Sequence, residues 1–177
     1  MKQLFIFDFD HTLFDAQKLR KELGLLIANN KNISSELIWK EFSKPNNKIV
    51  KFLQKNAPKY VFPGVVENLQ NLKSEKVLLS YGNLQFQKEK IKDSGLYELF
   101  DKVILTEENK INFLLEFYQK NKNKEIYLIN DTYNKRFNEN EEIKKEIPAI
   151  KIFEVDNYKP IKQKTILDVF RYIHKNY

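Results

Sequence analysis

Apolar residues recur along this chain with two different periods. Leu4-Phe5-Ile6-Phe7, Val77-Leu78-Leu79, Val103-Ile104-Leu105, Ile126-Tyr127-Leu128-Ile129 and the stretch Ile150 to Phe153 are short, nearly continuous runs rich in aromatic and β-branched residues. That is the composition of strands buried on both faces. Between them the apolar positions fall at helical spacing. Pro63-Gly64 opens a helix with Val65, Val66, Leu69 and Leu72 inward, and residues 85–94 form a second that stops at Gly95. Residues 110–120 form a third, with Ile111, Leu114, Leu115 and Tyr118 inward, and 139–147 and 165–174 complete the set. Alternation of this kind predicts an α/β fold, a three-layer Rossmann-like parallel sheet of about five strands with helices on both faces.

Residues 15–61 break the rhythm. They carry helical patterns, with Leu19, Leu23, Leu26 and Ile27 on one and Ile38, Trp39 and Phe42 on another, and no strand is evident. The expected organisation is an α/β core from residues 1–14 and 62–177, with a small α-helical cap at 15–61. Trp39, Phe42 and Tyr60 are expected to pack that cap, and Asp15 to cap its first helix.

Composition narrows the class. At 177 residues, 42% hydrophobic and 14% aromatic, the chain can bury a real core. It has no Cys, so disulfides and thiolate metal sites are excluded. No apolar run is long enough to span a bilayer, and the first one is too short for a signal peptide and meets Asp8 and Asp10 at once. A cytoplasmic protein with no membrane partner is expected. The net charge of +7 comes mostly from dispersed Lys, with only Arg20, Arg136 and Arg171 as arginines, so no specific nucleic-acid partner is expected. The densest basic piece, 120–124, reads as a solvated turn.

In open parallel sheets, ligands bind beyond the carboxyl ends of the strands. Strand one ends in Asp8-Phe-Asp10-His-Thr12, strand two in Ser80-Tyr-Gly-Asn83, and strand four in Asn130-Asp131, while the loop after strand three leads to Lys110. A carboxylate at the end of so apolar a strand must be paired, metal-bound or placed at a crevice mouth, because burying it bare is costly. Mg²⁺ takes hard oxygen ligands, and Asp8 with Asp131 meets that need. A carboxylate can also attack phosphorus, and a second carboxyl two residues on can serve as acid and base.

These residues, in this order, resemble the haloacid dehalogenase-like hydrolases, most of them phosphatases. Asp8-x-Asp10-x-Thr12 resembles the first family motif, Ser80 the second, Lys110 the third and Asn130-Asp131 the fourth. The resemblance implies Asp8 as nucleophile and metal ligand, and Asp10 as general acid/base with its main-chain carbonyl on the metal. It implies Asp131 as a further Mg²⁺ ligand. On the phosphate side, it implies Thr12 steadying the loop, Ser80 holding phosphoryl oxygens and Lys110 offsetting charge on Asp8 and the phosphate. Within the family the acid at position 10 favours phosphoester chemistry over dehalogenation.

The chain departs from the family pattern at Asn130, which adds no charge, and at Lys135 and Arg136, where relatives commonly carry an acid. Weaker Mg²⁺ affinity follows. Glu139 or Glu141 could reach in from the following helix, though each reads first as a solvated helix-start residue; Lys88 reads as a surface residue, and His11 stands where relatives often have Gly. The expected activity is Mg²⁺-dependent hydrolysis of a small phosphorylated metabolite, a phosphomonoester, through an aspartyl-phosphate on Asp8. The alternatives are a catalytically weak phosphatase-like binding protein, or a phosphotransferase.

Overall fold

The computed structural model describes residues 2–45, 47–132, 139–159 and 164–177. Its centre is a five-stranded parallel sheet of β1 (Lys2–Phe7), β2 (Glu75–Tyr81), β3 (Lys102–Thr106), β4 (Lys124–Asp131) and β5 (Lys151–Val155), in the order β3-β2-β1-β4-β5. β1 is the middle strand, and its apolar run is buried to the last residue. Alternate side chains enter different layers, as period-two geometry requires. Phe5 and Phe7 join a cluster with Leu69, Val169 and Phe170 on one face; Leu4 and Ile6 join Ile111, Leu114 and Ile143 on the other.

The helices between strands fall where the periodicity places them. α4 (Val65–Asn71), α5 (Leu84–Asp93), α6 (Lys110–Lys120), α7 (Glu139–Glu146) and α8 (Ile166–Asn176) follow the described ends of their strands and loops. α8 begins with a capping box: Thr165 accepts from the backbone of Asp168, and the Asp168 carboxylate accepts from the backbone of Thr165. Two expectations fail in detail. Leu26, expected on the apolar stripe of Leu19 and Leu23, is exposed. Val66 does not share the inward face of α4 but is exposed, because Val65 and Leu69 alone meet the core there.

The stretch after β1 holds α1 (Ala16–Ala28), α2 (Ser35–Phe42), α3 (Lys48–Asn56) and a single 3-10 turn, Ala57–Tyr60. Asp15 caps α1 by accepting from Lys18 N, and Ser34 caps α2 by accepting from Leu37 N. Entry and exit of this helical stretch run side by side. Asp15 N donates to Tyr60 O at 2.7 Å, and Phe62 N donates to Leu13 O at 3.0 Å. Leu23, Ile49, Leu53 and Tyr60 are buried in the same cluster as the sheet phenylalanines. Phe42 meets Phe86 of α5 edge to face at 5.2 Å. No helix among the described residues is long and apolar enough to cross a membrane.

Candidate active site

Asp8 is the first residue beyond β1, and its N–H donates to Ile129 O at 2.9 Å, so β4 fixes its backbone. Its carboxylate is almost fully buried and held from two sides. Lys110 Nζ, at the start of α6, donates to Oδ1 at 2.7 Å, and the Thr12 hydroxyl donates to Oδ2 at 3.1 Å. Burial pushes the Asp8 carboxyl above its ordinary value, even against Lys110. Burial acts on Lys110 in the opposite sense, but Asp8, Glu139 and Asp131 outweigh it, so this ammonium stays charged throughout the neutral range.

Asp10 sits two residues on, in the loop leading to α1. Both of its oxygens are engaged by Lys90 Nζ, at 2.6 and 2.7 Å, and Gln87 Nε2 donates to Oδ2 at 2.9 Å. Burial pushes its carboxyl up, but Lys90, His11 and Gln87 prevail and hold it below the ordinary carboxylate range. Between the two acids the turn passes through His11, whose φ of +64° is in the left-handed region. The strain of a side chain there is offset by ties to the segment after β5. Tyr158 Oη lies 3.0 Å from His11 Nδ1, and Asn157 Nδ2 donates to the carbonyls of His11 and Thr12.

Asp8, Asp10, Ser80, Lys110 and Asp131 all line one cavity of about 930 Å³ at the carboxyl edge of the sheet. Its opposite wall is built from α1 and α2, through Leu19, Arg20, Leu23, Ile38 and Trp39. Phe42 and Tyr60 pack as expected, and Trp39, half-buried, packs against the same cluster and also lines the cavity. The Ser80 hydroxyl is buried at 1% exposure and has no hydrogen-bond partner among the described residues. A native hydroxyl so placed points to a ligand that completes it. Thr12, by contrast, is fully buried and donates to Asp8 rather than lining the cavity.

Eight carboxylates of the described residues line the cavity, Asp8, Asp10, Asp131 and Glu139 among them, against the three cations Arg20, Lys90 and Lys110. An excess of negative charge, with hard oxygen donors on Asp8 and Asp131, suits a divalent cation of the Mg²⁺ type. Among the described residues, no three acidic or imidazole side chains gather as a ready-made metal cluster. Asn130 is buried behind the wall and does not reach the cavity; its Nδ2 donates to Glu139 Oε2 at 2.9 Å and to Asn140 Oδ1 at 2.7 Å. Lys135 and Arg136 lie outside the described residues.

Three side chains of this site are absent from the sequence reading or misread by it. Glu139 is not a solvated helix start. It reaches Lys110 at 3.5 Å as well as Asn130, whereas Glu141 pairs with Lys144 at the surface. Lys90 and Gln87 pass unnoticed in a lysine-rich helix, with attention drawn to Lys88, which is exposed. The available signal was their place on the stripe of Phe86 and Ile91, the buried face of α5.

No family model and no curated protein matches the chain. Solved structures do. A candidate haloacid dehalogenase-like hydrolase from Burkholderia xenovorans LB400 superposes with a TM-score of 0.68 at 19% identity, covering 98% of this chain and 97% of that one. A candidate beta-phosphoglucomutase from Thermotoga maritima gives 0.62 at 13% identity, over 99% and 100%. The L-2-haloacid dehalogenase of Xanthobacter autotrophicus, with chloropropionic acid covalently bound, gives 0.58 at 12% identity, over 98% and 88%. By its sheet order, its helical layers and these likenesses, the chain has the fold of the haloacid dehalogenase-like hydrolases.

Proposed function

We propose that this protein is a Mg²⁺-dependent hydrolase of small phosphomonoesters, working through an aspartyl-phosphate on Asp8, with residues 15–61 serving as its cap. The observation that carries the reading is the pair of carboxylates two residues apart, each clasped by its own lysine, in one cavity with the unpaired Ser80 hydroxyl and Asp131. The acid at position 10 is what favours phosphoester chemistry over the dehalogenation of one structural neighbour.

In the first half-reaction an Asp8 oxygen bonds to phosphorus as the ester P–O bond breaks, and the departing alkoxide takes a proton from the Asp10 carboxyl. In the second, Asp10 takes a proton from water as that water bonds to phosphorus. The acyl-phosphate bond to Asp8 then breaks and phosphate leaves. Lys110 lies against Asp8 and keeps its charge, so it offsets charge on the phosphoryl oxygens without reorganising. The Ser80 hydroxyl donates to one of those oxygens. Asp8 and Asp131 would hold Mg²⁺, which would supply electrostatic relief for a carboxylate and a phosphate dianion brought together. A cavity of about 930 Å³, whose α1–α2 wall joins Leu19, Leu23, Ile38 and Trp39 with Arg20, accommodates a metabolite-sized alcohol.

The test is phosphate release from p-nitrophenyl phosphate with Mg²⁺ or with EDTA, for the wild type and Asp8→Asn. The proposal expects turnover only in the wild type with Mg²⁺; equal turnover in both proteins would remove the mechanism. The lack of a third acidic ligand among the described residues favours one second reading, a phosphatase-like binding protein. Mg²⁺ binding without turnover across a broad ester panel is its signature.

A further inference from the structure

Lys90 is an unusual lysine. It is 3% exposed, and its ammonium lies over the rings of Phe9, Phe14 and Phe86 at 5.3, 5.7 and 5.3 Å. Burying an ammonium in an aromatic box is expensive without an anion, and Asp10 is its one ion-pair partner among the described residues. Gln87 adds a second constraint. Its Nε2 donates both to Asp10 Oδ2 and to Tyr81 O, two acceptors, so the amide can face only one way. Gly82 makes room for it: a Cβ there would lie 2.9 Å from Gln87 Nε2. An exposed lysine would neutralise Asp10 at less cost. A lysine caged on three sides and reinforced by a locked amide fixes direction as well as charge.

We infer that Lys90 and Gln87 are positioning residues that aim the Asp10 carboxylate at the hydrolytic water. The inference rests on the phosphatase reading above and concerns its second half-reaction. There Asp10 must be an oriented carboxylate: it takes the water proton while the new P–O bond forms and the Asp8–phosphorus bond breaks. That proton passes to the next departing alkoxide. Lys90 touches neither substrate nor phosphorus in this scheme and acts through Asp10 alone.

Rapid mixing with p-nitrophenyl phosphate and Mg²⁺ separates the two half-reactions, because nitrophenolate leaves without a proton. For Lys90→Met, in which an apolar chain refills the aromatic box, kcat is expected to fall about a hundredfold. A burst of nearly one nitrophenolate per chain is expected to remain, with the phosphorylated chain visible by intact mass at steady state. Gln87→Leu is expected to fall severalfold in kcat with the same burst, and it decides the matter on these readouts if Lys90→Met does not fold. A folded variant with wild-type kcat, or one that loses burst and turnover together, overturns the inference and leaves the phosphatase reading standing. A wild type that releases no nitrophenolate overturns both.

Discussion

The two acids at the end of β1 differ less in sequence than in surroundings. Asp8 is held by Lys110 at the start of α6 and by Thr12 of its own loop, with Glu139 of α7 against Lys110 and Asp131 in the same cavity. Asp10 faces α5 and the helical stretch after β1, where Lys90 and Gln87 hold it. Burial wins at Asp8 and pushes its carboxyl up; the neighbours win at Asp10 and pull its carboxyl down. Asp8 therefore needs a cation beside it to act as a carboxylate, whereas Asp10 is already held in the form that can take a proton from water. In the proposed mechanism, the nucleophile and cation side is built on the sheet edge. The side that needs a base is built on a helix.

That division predicts different failures for the two lysines. Lys110→Met should slow the first half-reaction, and hence the nitrophenolate burst itself, by about 10²–10³-fold, the loss expected when one preorganised donor to a developing charge is removed. It should also lower stability by roughly 3 kcal/mol, since Asp8 then loses its buried partner; thermal and urea unfolding check this. Lys90→Met spares the burst. Identical burst kinetics in the two variants would erase the distinction between the two sides.

A smaller effect sharpens the metal side of the comparison. Asp131→Asn keeps size and shape but removes one charge. It should weaken Mg²⁺ binding at least about tenfold, read by calorimetry or by the Mg²⁺ concentration giving half-maximal turnover. Unchanged Mg²⁺ dependence would move the cation away from β4.

Most of the sheet side of the site was legible in the sequence. All five strands show in the sequence as short apolar runs, the fifth interrupted by Lys151, and their alternation with helical stretches points to a parallel sheet. Reading off the strand ends leads to Asp8, Ser80, Lys110 and Asp131, which the structure brings to one cavity. The helix side was not. Lys90 is one of four lysines between positions 88 and 102, and nothing local separates a caged lysine from a solvated one except its place between Phe86 and Ile91 on the inward stripe. Glu139 was misread for a related reason. An acid in the first turn of a helix usually faces water, and here Asn130 and Lys110 draw it inward through contacts nine and twenty-nine positions away in the chain. Asn130 stood out in sequence as a departure from the family pattern, and its amide organises Glu139 and Asn140 behind the wall.

The central claim is that Asp8 becomes phosphorylated. The direct measurement is to quench the Lys90→Met variant during turnover of p-nitrophenyl phosphate, reduce the acyl-phosphate with borohydride, and map the modified residue by mass spectrometry. Reduction of an aspartyl-phosphate yields homoserine, and the account predicts it at position 8 alone. Homoserine at position 10 or 131, or an unmodified chain during continuing turnover, would contradict it.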